Sequence, residues 1–200
     1  MKHPKLATSP GIRVASSHPS QVVSTPLELL AACQLRFGEI VFDLAALDNG
    51  SNSVVKSQEG GKCWNGPLNN SLDPLTEWPS THYKRLVGSL PFWLWCNPPF
   101  ANISKWAERC SAEYITGKNI MLLVPASVDS NWYRKFVEPV AIVEFLNPRI
   151  TFSPNTEPYP KPMMLALFSR ALRVSGFQSK GCSQWQWKEY LKQERGESKL

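Results

Sequence analysis

Asn97-Pro98-Pro99-Phe100 closes an aromatic, apolar run, Phe92-Trp93-Leu94-Trp95-Cys96, and its residue types can together grip an amino group on a flat ring. An exocyclic amine on adenine or cytosine is a poor nucleophile because its lone pair is delocalised into the ring. It improves when both N–H bonds are drawn toward acceptors and the nitrogen becomes more tetrahedral. The Asn97 side-chain carbonyl is one such acceptor. Proline has no N–H but keeps its C=O, so the Asn97-Pro98-Pro99 backbone offers a stiff carbonyl, that of Pro98, as the second. Phe100 can stack on the ring, a contact worth about 1–3 kcal/mol per base. A base inside a duplex must be flipped out to reach such a pocket. A suitable methyl donor is S-adenosylmethionine, whose sulfonium makes transfer favourable without a strong protein base. The competing reading is a strand that ends in a turn, since Asn-Pro commonly starts one; the aromatic residue that follows favours the grip.

The elements that must position this tetrapeptide follow from apolar spacing. Thr25 is a candidate N-cap, with Pro26 at the first helical position and Glu28 at the third. Leu27, Leu29, Leu30, Cys33, Leu35 and Phe37 then carry a helix to a stop at Gly38. Ile40 to Ala46 reads as the first strand, with Asp43 at its carboxyl end. Asp43 either faces a bound cofactor, with small Ala45 and Ala46 allowing close approach, or is an ordinary acid in a strand-end turn. An acid inside an apolar run needs a partner, which favours the first reading. Phe92 to Cys96 is a buried strand, and Ile103, Trp106, Ala107, Cys110 and Tyr114 recur at helical spacing up to Gly117. Trp106 reads as packing behind the site. Ile120 to Val124 is another buried strand closed by Pro125, and a short helix covers Asn131 to Val137. Val140 to Leu146 and Met163 to Phe168 are further strands, the latter with a possible hairpin partner near Leu172. Trp185-Gln186-Trp187 opens a terminal amphipathic helix. Strands separated by helical segments predict an α/β fold with a mainly parallel sheet and helices on both faces. Ligands of such sheets bind outside the carboxyl ends of the strands, where Asn97 falls.

With 200 residues, 42% of them hydrophobic, the chain is sized for one well-buried domain, expected over residues 21–191. Residues 1–20 read as a mobile basic tail and 192–200 as a frayed one. A formal charge of +6 and a pI of about 9.1 favour a polyanionic partner. Cys33, Cys63, Cys96, Cys110 and Cys182 are scattered without zinc-ligand spacing, and His3, His18 and His82 do not cluster, so no metal site is expected. The N-terminus lacks a signal-peptide core, and no run reaches the ~18 apolar residues of a membrane span. The cysteines are therefore expected to be reduced thiols of a cytoplasmic protein. Residues 48–90 lack periodicity; Lys56, Lys62, Lys84 and Arg85 there could reach phosphates or be solvated loop charges. Arg149 stands beside a stiff loop containing Pro154, Pro158, Pro160 and Pro162, and could hold a DNA phosphate or substrate edge, or only anchor the loop. There is no G-x-S-x-G elbow, Walker lysine loop or H-E-x-x-H pair.

The run Leu94 to Trp106, containing Asn97-Pro98-Pro99-Phe100, resembles the catalytic core of the phage-type, Dam-like DNA N6-adenine methyltransferases. Further matching pieces come in the family's order: Thr25-Pro26-Leu27, Phe42-Asp43-Leu44-Ala45-Ala46, Asn70-Ser71-Leu72 before Glu77-Trp78, Leu122 to Ala126 with Trp132, and Asn147-Pro148-Arg149-Ile150-Thr151-Phe152. The resemblance implies a Rossmann-like, S-adenosyl-L-methionine-dependent domain acting on double-stranded DNA, as a monomer encoded by a phage or prophage. It implies Asn97, Pro98, Pro99 and Phe100 as catalytic residues. Asp43, Ala45, Asn70, Thr25 and Pro26 would contact cofactor, and Arg149 and Trp106 substrate. Asn70 departs from the acid common at its place, and Asp43-Leu44-Ala45-Ala46 replaces the glycine-rich cofactor loop of most such enzymes. Alternatives are methylation of another planar amine, in an RNA base or a protein glutamine, and a catalytically silent DNA-binding phage protein.

Overall fold

The computed structural model describes residues 23–46, 65–66, 69–81, 90–177 and 184–197. The basic segment 1–20 and Lys56, Lys62, Lys84 and Arg85 lie outside the described residues.

Helix α1 (Leu27–Phe37) leads into strand β1 (Ile40–Asp43), and two short antiparallel strands, β2 (Asn65–Gly66) and β3 (Asn69–Asn70), follow. Strand β4 (Trp93–Cys96), a 3₁₀ turn (Phe100–Asn102), helix α2 (Ile103–Ile115), strand β5 (Ile120–Pro125), a π-helical turn (Tyr133–Val137), strands β6 (Ile142–Asn147) and β7 (Met163–Phe168), helix α3 (Arg170–Val174), strand β8 (Gln184–Gln186) and helix α4 (Trp187–Glu194) complete the order among the described residues. Six strands form one sheet in the order β1-β4-β5-β7-β6-β8. β7 pairs antiparallel with both β5 and β6, while β1–β4, β4–β5 and β6–β8 are parallel, so β7 alone runs against the rest. The fold is mixed α/β, and the expected mainly parallel direction holds for the other five strands.

Alternation along the strands separates two apolar layers. Trp93, Trp95, Met121, Leu123, Leu165 and Leu167 pack with α1 and α4 on one face. Leu94, Cys96, Ile120, Leu122, Met164 and Ala166 pack with Trp106, Ala107 and Cys110 of α2 on the other. Every residue of β4, β5 and β7 is buried, which is why these strands read as unbroken apolar runs. Cys33, Cys96 and Cys110 are free thiols inside these layers.

Several boundaries differ from the sequence reading, each for a local reason. β1 stops at Asp43 because the Asp43 carboxylate turns the chain, accepting the Ala45 N–H at 3.1 Å. β6 starts at Ile142 because the Val140 and Ala141 N–H groups donate to the Val137 carbonyl at 3.1 and 2.8 Å. Leu172 lies in α3 and not in a hairpin strand: Ser169 caps that helix, its hydroxyl accepting from the Leu172 N–H at 3.2 Å. Trp185 and Gln186 form β8 beside β6, and α4 begins only at Trp187 and continues through Glu194, past the boundary expected at 191.

Gly38 ends α1 with φ 120, a left-handed value that favours glycine, and a Cβ there would run into the Pro91 carbonyl oxygen. Gly38→Ala is expected to destabilise the fold by at least about 1–2 kcal/mol. A melting temperature lowered by roughly 4 °C or more would register it; an unchanged one would mean that the α1–β1 turn relaxes freely.

Candidate active site

The sheet delivers Asn97 and Asp43 to one edge. β1 and β4 are parallel neighbours with Asp43 in register with Trp95, so the chain leaves both carboxyl ends side by side. Asp43 is 7% exposed, and its Oδ1 holds the Ala45 N–H. The next residue, Leu44, ties this turn back to the sheet through its N–H to the Trp95 carbonyl at 2.8 Å. Its own carbonyl accepts from the Ser71 hydroxyl at 2.6 Å, and Trp78 Nε1 donates to the Ser71 carbonyl at 2.9 Å. Arg109 on α2 clamps the same segment by donating to the carbonyls of Asp73 and Thr76 at 3.0 and 2.7 Å. Arg109 is held in turn by Glu113, which also pairs with Lys118. Burial works against the Glu113 carboxylate, but hydrogen bonds from Lys118 and Arg109 outweigh it and hold its pKa below the ordinary value.

Asn97 follows β4 on the α1 side, in step with Trp93 and Trp95. Its Nδ2 donates to the Thr25 hydroxyl oxygen at 3.3 Å, and its Oδ1 is buried with no hydrogen-bond partner among the described residues. An unpaired buried acceptor costs about 1–3 kcal/mol, so the fold keeps this oxygen bare at a price that a ligand N–H would remove. Pro98 is buried, and Pro99, with φ −57 and ψ 123, turns the chain into a 3₁₀ turn over Phe100–Asn102 that feeds α2. The Pro99 carbonyl is occupied by the Asn102 N–H at 3.1 Å. Among the described residues no hydrogen bond reaches the Pro98 carbonyl, the one assigned to the grip.

Phe100 is half-buried and sits in a triad of rings. Its centroid is 5.4 Å from Tyr159 and 6.3 Å from Phe152, both at 67°. Such edge-to-face pairs fix ring orientation as well as burying area. Tyr159 is set by its N–H to the Ile150 carbonyl at 2.7 Å, and burial raises its phenol pKa, so the ring stays neutral. The sequence reading missed Tyr159, whose only signal was an aromatic residue flanked by Pro158 and Pro160 in the loop after β6.

Thr25 is not the N-cap of α1. That position is Pro26, with φ −59 and ψ 134 and no side-chain cap bond, and the Thr25 hydroxyl is spent on Asn97 instead. The helix thereby forgoes a cap worth about 0.5–2 kcal/mol. Thr25, expected at the cofactor with Pro26, thus lies beside Asn97. Ala45, expected to leave room for cofactor, is 7% exposed and packs into the α2-side core, with its N–H already taken by Asp43. Asn70 lies in β3, and its side chain is outside the described residues. Trp106 is 1% exposed and packs within the α2-side core. Arg149 is exposed, following the cis Asn147-Pro148 bond. Among the described residues no group of three His, Cys, Asp or Glu side chains could hold a metal, and no helix is long and apolar enough to cross a membrane.

A mixed α/β sheet that presents a bare amide oxygen, a proline carbonyl and a half-buried ring at one strand end has the parts of a site for planar amines. Residues 16–162 match the family model described as DNA N-6-adenine-methyltransferase (Dam), and the chain belongs to that family. The match spans the elements from α1 to the end of the proline-rich loop, including Asp43, Asn97 and Phe152. No curated protein and no solved structure matches the chain.

Proposed function

We propose that this chain is a site-specific DNA methyltransferase, built as a Rossmann-like domain, that transfers a methyl group from S-adenosyl-L-methionine to the N6 amine of adenine in double-stranded DNA. The observation that carries this reading is the buried Oδ1 of Asn97 at the end of β4, in contact through Nδ2 with Thr25 and followed by the Pro98 carbonyl, neither acceptor having a hydrogen-bond partner among the described residues. Family membership supports DNA and adenine over other amines.

The donor set fits the cofactor: Asp43 is a buried carboxylate one strand over, suited to the positive charge of its amino-acid end. Asp43 and the turn it closes would hold that end at the β1 edge. When bound, S-adenosyl-L-methionine supplies an electrophilic methyl on sulfonium sulfur. Asn97 Oδ1 and the Pro98 carbonyl accept the two amine N–H bonds, which raises the nucleophilicity of the nitrogen and fixes its lone pair for in-line attack. Phe100, held by Phe152 and Tyr159, stacks on the flipped base and shields it from water. As the N–C bond forms and the methyl–sulfur bond breaks, releasing a neutral thioether, the nitrogen becomes cationic. The same two acceptors hold its protons more strongly, so the grip tightens toward the transition state, and one of those protons then passes to water. Arg149, exposed beside this loop, would meet a DNA phosphate.

Tritium supplied on the cofactor methyl group, with duplex DNA, RNA and protein offered in parallel, tests the substrate class. Label is expected in DNA. Label in RNA or protein with none in DNA would replace the reading with methylation of another planar amine, and no transfer with no cofactor binding by calorimetry would leave a silent DNA-binding protein.

A further inference from the structure

We propose that Thr25 is a positioning residue for the amine grip: its hydroxyl oxygen holds the Asn97 amide so that Oδ1, and not Nδ2, faces the substrate. This inference deepens the methyltransferase reading and rests on it.

The two ends of a primary amide are almost the same size and opposite in hydrogen-bonding character, one accepting and one donating twice. A half-turn about the last side-chain bond of Asn97 would therefore cost little in shape and would reverse its chemistry. It would set N–H donors against the N–H bonds of the incoming amine. The structure shows a contact that pairs Nδ2 and leaves Oδ1 for the amine. Nδ2 donates across 72 positions of sequence to Thr25 Oγ1 at 3.3 Å, while Oδ1 is buried and unpartnered. With an amine bound, this orientation pairs both ends of the amide. In the reversed one, Oδ1 could accept from the Thr25 hydroxyl, but Nδ2 would face the N–H bonds of the amine with no acceptor. Bonds at such sites are often long before substrate arrives, so 3.3 Å is compatible with one that tightens as Oδ1 is engaged.

Thr25 is well anchored for this task. It is 4% exposed and lies between two fixed points. On one side Ser24 forms a reciprocal backbone pair with Ser153, N to O at 2.9 and 3.1 Å. On the other, Pro26 locks the backbone at φ −59, and its carbonyl accepts from the Leu29 and Leu30 N–H groups at 3.1 and 3.3 Å. Ser153 belongs to the same loop as Phe152, which packs on Phe100. One short bridge thus couples the residue that orients the amide to the ring that supports the stacking platform. The threonine could serve as a cap for α1 and does not, which leaves its hydroxyl available to Asn97.

The test compares full-length wild type with Thr25→Val, which keeps the shape and removes the hydroxyl, and Thr25→Ser, which keeps the hydroxyl. Steady-state methylation of saturating DNA is measured together with hydrogen exchange of the Asn97 side-chain amide by nitrogen-15 NMR. The Val variant is expected to lose about tenfold in kcat, with the KM for cofactor unchanged, the melting temperature lowered by only a few degrees and amide protection lost. The Ser variant is expected to retain most of the wild-type kcat and the protection. A Val variant with wild-type kcat would overturn the proposal. So would a raised cofactor KM at unchanged kcat, which would return Thr25 to the cofactor seat, or an equal loss in the Ser variant, which would assign the effect to packing. A wild type that transfers no methyl group would overturn the methyltransferase reading instead; the amide exchange would still decide the Thr25 bond, and an unprotected Asn97 amide in wild type would overturn it.

Discussion

Asn97→Ala is expected to abolish detectable methylation, a loss of at least about 10²–10³-fold by analogy with removal of one preorganised polar group from an active site. The substitution deletes an acceptor without a partner among the described residues, which offsets the loss of the Nδ2 bond to Thr25, so the stability cost is small. The protein should therefore melt near the wild-type temperature and still bind S-adenosyl-L-methionine by calorimetry. A fall in transfer rate with intact cofactor affinity separates loss of the grip from loss of the fold or of the cofactor seat. Retained activity would remove Asn97 from the mechanism.

Breaking the ion pair between Arg36 and Glu144 should have the largest effect on stability. Arg36, in the last turn of α1, places Nη2 at 2.9 Å from Glu144 Oε1 on β6, and Glu144 is 3% exposed. The guanidinium lies 4.7 Å from the Trp185 ring centroid, 5.0 Å from that of Phe37 and 5.5 Å from that of Phe177. One side chain thus joins α1, β6, β8 and the segment after α3. Removing the cation from a buried pair leaves a desolvated carboxylate, at about 3–5 kcal/mol. The lower part of that range applies because Arg36 is 16% exposed. Arg36→Ala should lower the melting temperature by roughly 6 °C or more. Arg36→Met combined with Glu144→Leu should recover much of the loss, since the buried carboxylate goes together with the cation. A single variant as stable as wild type would show that solvent screens the pair fully.

Which parts of this molecule could be read from sequence depends on the range of the forces involved. β4, β5 and β7 were legible because burial on both faces demands unbroken apolar runs, and α2 because Trp106, Ala107 and Cys110 share one helical face. Asn97 was legible because its partner chemistry is carried by the adjacent prolines and Phe100. Thr25 was misread for the opposite reason: everything near it in sequence says helix cap, and a side chain 72 residues away takes its hydroxyl. Tyr159 was invisible because a loop has no periodicity, and only the folded chain brings it to 5.4 Å from Phe100. The reversal of β7 was equally hidden, since an apolar run has no direction until β5 and β6 flank it. Leu172 did carry a signal, Ser169 three residues ahead as a cap, but its apolar neighbours suggested a strand.

The most direct measurement is nucleoside mass spectrometry of duplex DNA after incubation with the protein and S-adenosyl-L-methionine carrying a deuterated methyl group. The account predicts deuterated N6-methyladenine with wild type and none with Asn97→Ala. Deuterium on cytosine, absence of label from DNA altogether, or equal N6-methyladenine with Asn97→Ala would contradict it.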